Sequence, residues 1–375
     1  MNFEINSDSS EDRGPFGEEE SVDLIHALPS QARFECVCDL IVQNLRQYLS
    51  SSSMGYLFFV LLLLASLIFA TVAFMSQSIF LVATALSLCF AISFFFFISR
   101  IYHQARMPEM LGGLRDEFIA SSRQMLQYRD GYRLHHSLLA HMLTLLDPKV
   151  QGLEYAIWQL PKQHFLAPKL NPFLAQISAQ LTWSALHAFR QLILLASIDE
   201  YIKQVQCDPV NLHSHASLAK GYVRLSALFN DPRKKEGADY FILKEGETSV
   251  MPWNHSFSKF APRFKLCALR AIEEFKIIAQ FAPEDVWVHR QLALCYCDLK
   301  MQSEEIQEYE VVTGLCPTDD KARFRLGVLY FKQGRNADGL RIYRHLLENQ
   351  YPKVHQLLSF YEAYRTARTL DPFEE

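Results

Sequence analysis

Ser256 and Lys259 are the residues whose types and spacing come nearest to a catalytic motif. In Ser256-Phe-Ser-Lys259 a serine stands three residues before a lysine, which is the Ser-x-x-Lys order of serine acyltransferases. The companion motifs Ser-Asp-Asn and Lys-Thr-Gly are missing from the sequence, as are a P-loop, a His-Glu-x-x-His pair and a dinucleotide fingerprint. We therefore expect no catalytic residues, and a membrane-bound hydrolase that uses Ser256 is the least favoured function.

Cysteines and histidines could bind a metal or carry a lipid, but their spacing favours neither. Cys36 and Cys38 form one Cys-x-Cys pair, and no second pair completes a zinc site. His135, His136 and His141 lie on one predicted helix without a carboxylate or cysteine at metal-ligand spacing. The eight cysteines are unevenly spaced, which argues against a disulfide framework. We expect no metal site and no cofactor.

The charge of the chain is unevenly distributed and excludes one class of partner. Residues 1–33 carry eight acidic residues against Arg13 and Arg33, although the whole chain has a net charge of only -4. This segment is too polar to bury a core, and it predicts a disordered acidic tail. No concentrated basic patch is present, so nucleic acid is not an expected partner.

Two uncharged apolar runs, 56–75 and 79–98, stand out in the first third of the chain. As helices each is about 30 Å long, which matches the hydrocarbon thickness of a bilayer. They predict a transmembrane helical hairpin over residues 54–100. Cations flank both outer ends, so the positive-inside rule predicts that both termini are cytoplasmic. The sequence thus predicts an integral, two-pass membrane protein in contact with the lipid bilayer.

Helical patterns flank the hairpin on both sides. Apolar residues at helical spacing from Phe34 to Leu49 predict a juxtamembrane amphipathic helix, 34–53, that lies on the membrane surface. Residues 107–171 predict further helices without a repeat, in a joint region that ends near Pro161, Pro168 and Pro172.

A period of 34 residues organises the rest of the chain. In each period a leucine lies nine residues after a proline, a small residue ten after it and a tyrosine thirteen after it. An aromatic residue lies eight residues before the same proline. Such a period is typical of stacked helical repeats. The pattern begins at three prolines: Pro209, Pro283 and Pro317.

These offsets resemble the tetratricopeptide repeat (TPR), a helix-turn-helix unit of 34 residues. The resemblance implies an all-α chain in which a TPR-like solenoid covers residues 172–367, with a final helix that caps the last repeat. A polar segment, 230–262, interrupts the first repeat and could form a small β-hairpin around Gly246.

In the TPR family the first helices of the repeats line a concave groove that binds a peptide or helix. The family's variable groove positions predict an aromatic and cationic surface suited to an acidic peptide with apolar anchors. Leu294 and Val328 stand where the carboxylate-clamp subclass has asparagine, so a chaperone's acidic C-terminus is not expected. The predicted groove residues are Lys220, Arg224, Trp287, Arg290, Lys321, Phe324, Phe331 and Lys332.

Taken together, the sequence predicts a membrane-anchored adaptor, a scaffold that holds a protein partner at the bilayer and is not an enzyme. An alternative keeps the topology, because the hairpin is similar in hydropathy to the inclusion membrane proteins that intracellular bacteria export into host vacuole membranes. No small-molecule substrate is evident from the sequence.

Overall fold

In the computed structural model, residues 31–75, 79–158, 167–229 and 261–370 are described, and every regular element among them is an α-helix. The expected all-α class is confirmed. The acidic tail up to residue 30, the segment 230–260 with its expected β-hairpin, and Ser256 with Lys259 lie outside the described residues.

The described chain divides into two compact units, residues 31–204 and residues 205–370. Helices of the first unit are α1 (Gln31–Met75), α2 (Ile79–Leu126), α3 (Arg133–Val150), α4 (Leu153–Ala156) and α5 (Ala167–Cys207), whose last residues enter the second unit. The second unit continues with α6 (Leu212–Phe229), α7 (Ala261–Phe281), α8 (Val286–Asp298), α9 (Gln302–Leu315), α10 (Asp320–Gln333), α11 (Asn336–Glu348) and α12 (Val354–Leu370).

Helices α1 and α2 pack side by side in opposite directions. Phe34 near the start of α1 contacts Phe118 near the end of α2, and Phe59 contacts Phe96. Where the apolar stretches of the two helices face each other, the contacting side chains are small. Ser66, Ala73 and Ala85 are buried, and the thiol of Cys89 donates to Ser66 Oγ at 3.3 Å. Small residues at such contacts let two helix backbones approach closely, as in membrane bundles.

Three described helices are long and apolar enough to cross a membrane: α1, α2 and the part of α5 from Pro168 to Cys207. The three differ in burial. Only 12% and 6% of the most apolar windows of α1 and α2 are buried inside the protein, against 50% for α5. Large apolar side chains are exposed along α1 and α2 from Met54 to Tyr102, a distribution compatible with a membrane protein.

Residues 34–53 differ from the expected separate surface helix. They are the first turns of α1, and the side chains Phe34, Cys38, Ile41, Leu45 and Leu49 are buried in the core of the first unit. The amphipathic pattern is the same for a membrane surface and for a protein core, because both require one apolar helix face. Here the apolar face packs against other helices of the chain.

The boundary between the units also differs from the expected one at residues 171/172. Leu186, Phe189 and Ile193 of α5 are buried with residues of α1, α2 and α3 in one cluster, so most of α5 belongs to the first unit. Its apolar pattern predicts a buried helix correctly, but not the part of the chain against which that helix packs.

Glu200 fixes α5 to the turn between α2 and α3. Oε2 of this buried carboxylate accepts from His136 Nδ1 (2.7 Å) and the Tyr128 hydroxyl (3.1 Å), and Oε1 accepts from Arg123 (3.2 Å) and Lys203 (2.8 Å). Burial raises the pKa of Glu200, but hydrogen bonds from Lys203, His136 and Tyr128 outweigh it and hold that pKa below its usual value. A buried carboxylate with this many donors is fully satisfied.

Equivalent positions 34 residues apart have equivalent environments in the second unit. The leucine, small residue and tyrosine of each period are buried or largely buried, and each helix from α6 to α11 packs on the next one along the chain. An Asx side chain caps three helices: Asn211, Asp285 and Asp319 each accept a backbone N–H of the helix that follows, at 2.9, 2.9 and 3.1 Å. These caps lie two residues after the three period-marking prolines.

The packing of α1 can be tested with two cysteines that lie two residues apart. At neutral pH a maleimide is expected to modify exposed Cys36 and to spare Cys38, because Cys38 is fully buried and burial raises the pKa of its thiol to about 11. Mass spectrometry of the labelled protein in lipid nanodiscs measures both sites, and labelling in guanidinium is the control. Equal native modification would instead support a helix lying flat on the membrane.

The contact between α10 and α11 can be tested at Gly339. A Cβ at this position would lie 2.5 Å from the buried ring of Phe331, so Gly339→Ala is expected to lower the free energy of unfolding by about 1–3 kcal/mol. Gly314, also helical, has no atom within 4 Å of its Cβ position, and Gly314→Ala is expected to be neutral or stabilising by up to about 1 kcal/mol. Denaturant unfolding measures both, and equal effects would contradict the close approach.

Candidate functional site

The eight predicted groove residues lie on α6, α8 and α10, and the structure places them in three different situations. Lys220, Arg224, Lys321 and Lys332 are exposed. Arg290 is partly buried in an ion pair. The three aromatic residues, Trp287, Phe324 and Phe331, are buried.

Trp287 connects α8 to its neighbours. Its ring packs edge-on against Phe275 of α7, with centroids 5.8 Å apart, and Lys220 Nζ of α6 lies 4.7 Å above it. Only 8% of Trp287 is exposed, so the indole is a packing residue, with the Lys220 cation over its ring. The structure thus brings two of the predicted groove residues together, one as an anchor of the fold and one at the surface.

Arg290 connects α8 to α10. Its guanidinium donates to Asp319 Oδ2 at 2.6 Å, while Oδ1 of the same carboxylate caps α10 by accepting from Ala322 N–H. The charge of Arg290 is therefore balanced within the protein.

Phe324 and Phe331 differ from the expected apolar anchors because the chain itself covers them. Phe324 packs against Tyr351, with ring centroids 5.7 Å apart, and Phe331 packs against Tyr361 of α12 at 5.3 Å. Both phenylalanines belong to a buried cluster with Leu346, Val354 and Leu357. The apolar contacts expected for a partner peptide are thus made within the chain.

The exposed part of the predicted groove is therefore mostly cationic. We call Lys220, Arg224, Lys321 and Lys332 the cationic rim. Asp298 of α8 stands at another of the variable groove positions that the TPR resemblance implies, and it is exposed and negatively charged. Exposed cations of this kind attract an acidic partner and speed its association.

Two histidines of the second unit are held in the same way, a feature that the sequence interpretation did not anticipate. His289 Nδ1 lies 2.6 Å from Glu308 Oε2 and its Nε2 lies 3.0 Å from the carbonyl oxygen of Pro283. The same two contacts, at 2.7 and 2.9 Å, are made by an equivalent trio: His215, Glu274 and Pro209. We call each trio a histidine clamp.

Each clamp connects the first helix of a pair to the second helix and to the preceding proline. Carbonyl and carboxylate oxygens only accept hydrogen bonds, so both contacts form together when each ring nitrogen carries a proton. The sequence contains a signal for the clamps, because Glu274 and Glu308 are 34 residues apart and each histidine stands six residues after its proline. In the next period the histidine position is Arg323 and the glutamate position is Ile342, so the clamp does not recur there.

A buried ion pair connects α9 to α10, the first helix of the next pair. Nε and Nη2 of Arg325 donate to Glu305 Oε1 at 2.9 and 2.8 Å, and Nη2 also contacts Cys297 Sγ at 3.1 Å. Both charged side chains are almost completely buried. The pair fixes the register of the two helices, since removing either partner would leave an uncompensated charge in the core.

Catalytic and metal-binding chemistry gains no support from the described part of the chain. No group of three or more His, Cys, Asp or Glu residues among the described residues could hold a metal ion. Cys36 is exposed whereas Cys38 is buried, so the Cys-x-Cys pair does not converge on one point. His136 bonds to Glu200, and His135 Nδ1 accepts from the backbone of Arg129 at 2.9 Å.

Comparison with known proteins finds no protein-family model and no curated protein that matches this chain. The functional interpretation therefore depends on the chain's own sequence and geometry.

The role of Arg290 can be separated from that of the cationic rim. Arg290→Glu places two carboxylates together at the start of α10, and we expect it to lower the free energy of unfolding by about 1–3 kcal/mol. Arg224→Glu, a reversal at an exposed position, is expected to stay within about 0.5 kcal/mol of the wild type. Thermal unfolding followed by circular dichroism measures both, and an unaffected Arg290→Glu would show that the ion pair is dispensable.

Proposed function

We propose that this protein is a membrane-anchored adaptor in which a two-span hairpin carries a TPR-like repeat domain that binds an acidic protein partner. The observation that carries the proposal is the recurrence, at the repeat period, of a helix cap and buried packing positions. The described chain also has three helices long and apolar enough to cross a membrane, and two of them are mostly exposed. Stacked repeats of this kind generally present an extended binding surface.

The membrane part of the proposal is supported by the distribution of apolar and charged side chains on α1 and α2. Exposed apolar residues run from Met54 on α1 to Tyr102 on α2, and Arg46, Arg100 and Arg106 lie at or beyond the outer ends of this region. Residues 56–75 and 79–98 are the proposed spans. With both flanks on one side, the positive-inside rule favours cytoplasmic termini.

The proposal of an acidic partner is supported by the cationic rim and by the tyrosines that cover Phe324 and Phe331. The rings of Phe324 and Phe331 already pack against Tyr351 and Tyr361. The partner would therefore be recognised chiefly through its negative charge. We propose a peptide or helix with clustered Asp or Glu residues, bound reversibly and with a marked dependence on ionic strength.

The test is a pull-down with the full-length protein in lipid nanodiscs. The rim variant reverses four charges: Lys220→Glu, Arg224→Glu, Lys321→Glu and Lys332→Glu. Proteins captured by the wild type are identified by mass spectrometry, and the leading acidic candidate is titrated against both forms. We expect the rim variant to lose at least about tenfold in affinity, because four surface charges each contribute a few tenths to one kcal/mol.

The matched control reverses four exposed cations on second helices of the repeats: Lys265, Arg270, Arg341 and Arg344. It has the same net charge as the rim variant, so equal loss in both would indicate non-specific attraction. If neither variant binds less well than the wild type, the rim is not the binding surface. Unchanged helicity by circular dichroism is required of every variant.

A further inference from the structure

The first turns of α5 lie at the level of the proposed membrane surface. Two contacts fix the position of α5 along α3: Glu200 bonds to His136, and Arg190 makes a bidentate pair with Asp147 at 2.6 and 3.0 Å. Because the residue numbers rise on one helix as they fall on the other, α5 runs antiparallel to α3. Its N-terminus therefore extends past the end of α3.

The end of α3 and the residues after it follow α1 towards its first span. Lys149 lies 3.6 Å from Asp39, the Arg46 guanidinium donates to the carbonyl of Ala156 at 2.9 Å, and Trp158 Nε1 donates to Ser53 Oγ at 3.0 Å. Ser53 precedes Met54, where the exposed apolar surface that leads into the first proposed span begins. The described chain up to Trp158 thus reaches the boundary of that region.

Counting along α5 places its start at the same boundary. From Arg190 to Phe173 the helix extends about 26 Å, and from Asp39 to Met54 helix α1 extends about 22 Å. Arg190 is level with Asp147, which precedes the Lys149–Asp39 contact by two residues, or about 3 Å, along α3. Adding this length to the 22 Å along α1 gives about the 26 Å found along α5. Phe173 is therefore at the level of Met54. Leu170 lies about one turn further, beside the start of the first span.

This part of α5 has one face on the core and one face without a covering helix among the described residues. Leu174 and Ile177 pack against the core of the first unit. Phe173 is 60% exposed and Leu170 is 39% exposed, next to exposed Lys169. A helical segment that combines exposed Leu and Phe with a lysine has the composition of a segment that lies in a membrane interface.

We propose that the start of α5, residues 168–174, is a third membrane contact. Leu170 and Phe173 insert into the leaflet on the side of the membrane where the outer ends of the two spans, in α1 and α2, lie. This inference rests on the proposed two-span anchor. It assigns a membrane contact, not a third span, to α5, because half of the apolar window of that helix is buried in the protein and its distal part carries Arg190 and Glu200.

A lipid surface suits this face better than a second copy of the chain or another protein. By the same count the face lies at the level where the exposed apolar surface of α1 begins, with Met54 and Phe58. A bilayer around the spans would reach the face without any additional binding event. The patch of two large apolar side chains is also small compared with a stable protein interface.

The test is photocrosslinking from the full-length protein in phosphatidylcholine nanodiscs that contain a fluorescent lipid. Benzoylphenylalanine replaces one aromatic residue at a time: Phe173, Phe58 within the first span, or Tyr132 in the turn between α2 and α3. The three side chains are similarly exposed, at 60%, 60% and 57%. Protection of Cys38 from maleimide confirms that each variant is folded.

We expect lipid adducts from positions 173 and 58 in similar yield and at least about tenfold less from position 132, which the length of α2 places far from the bilayer. Adducts from 58 but not from 173 would overturn the third contact and leave the two-span anchor intact. A crosslink from 173 to protein instead of lipid would overturn it in favour of a protein partner. No lipid adduct from 58 would overturn the anchor and this inference together.

Discussion

The structure of the first unit depends on the antiparallel pairing of two helices that are much longer than a bilayer requires. A hydrocarbon core of about 30 Å needs about 20 residues of helix, whereas α1 has 45 and α2 has 48. The remaining turns are the scaffold on which α3, α4 and α5 pack, with Phe34 against Phe118 at one end and Ser66 against Cys89 within the apolar stretch. The same two helices therefore present lipid-compatible surface over one part of their length and bury a core over the other.

Repetition of a few polar contacts organises the second unit. Asn211, Asp285 and Asp319 cap helices at corresponding places, and the two histidine clamps connect each of two helix pairs to the preceding proline. These contacts are local in the chain except for the bonds to Glu274 and Glu308, so each pair can be specified by its own sequence. The clamp does not recur in the third pair, and the buried Arg325–Glu305 pair connects α10 to the preceding helix, α9.

Features encoded in a short stretch could be predicted from the sequence, whereas those that depend on distant partners could not. The apolar runs and the 34-residue offsets predict helices and their repetition because burial follows helical spacing. The partners of residues 34–53 and of α5 were not predictable, because an apolar helix face fits a membrane, a repeat or a core equally well. The same limit applies to the candidate site: nothing near Phe331 in the sequence reveals that Tyr361 covers it, and nothing near Arg290 reveals its pairing with Asp319.

The double use of Asp319 gives the predicted groove a particular thermodynamic character. One oxygen of this carboxylate caps the N-terminus of α10 and the other neutralises Arg290. An acidic group of a partner that binds Arg290 would therefore replace one anion with another. Such an exchange yields little net free energy, because the displaced carboxylate is largely buried and must recover its hydration. At Arg290, the choice between different acidic partners would depend on how well the partner's anion fits the geometry of the site. The strength of association would come from the exposed cations of the rim.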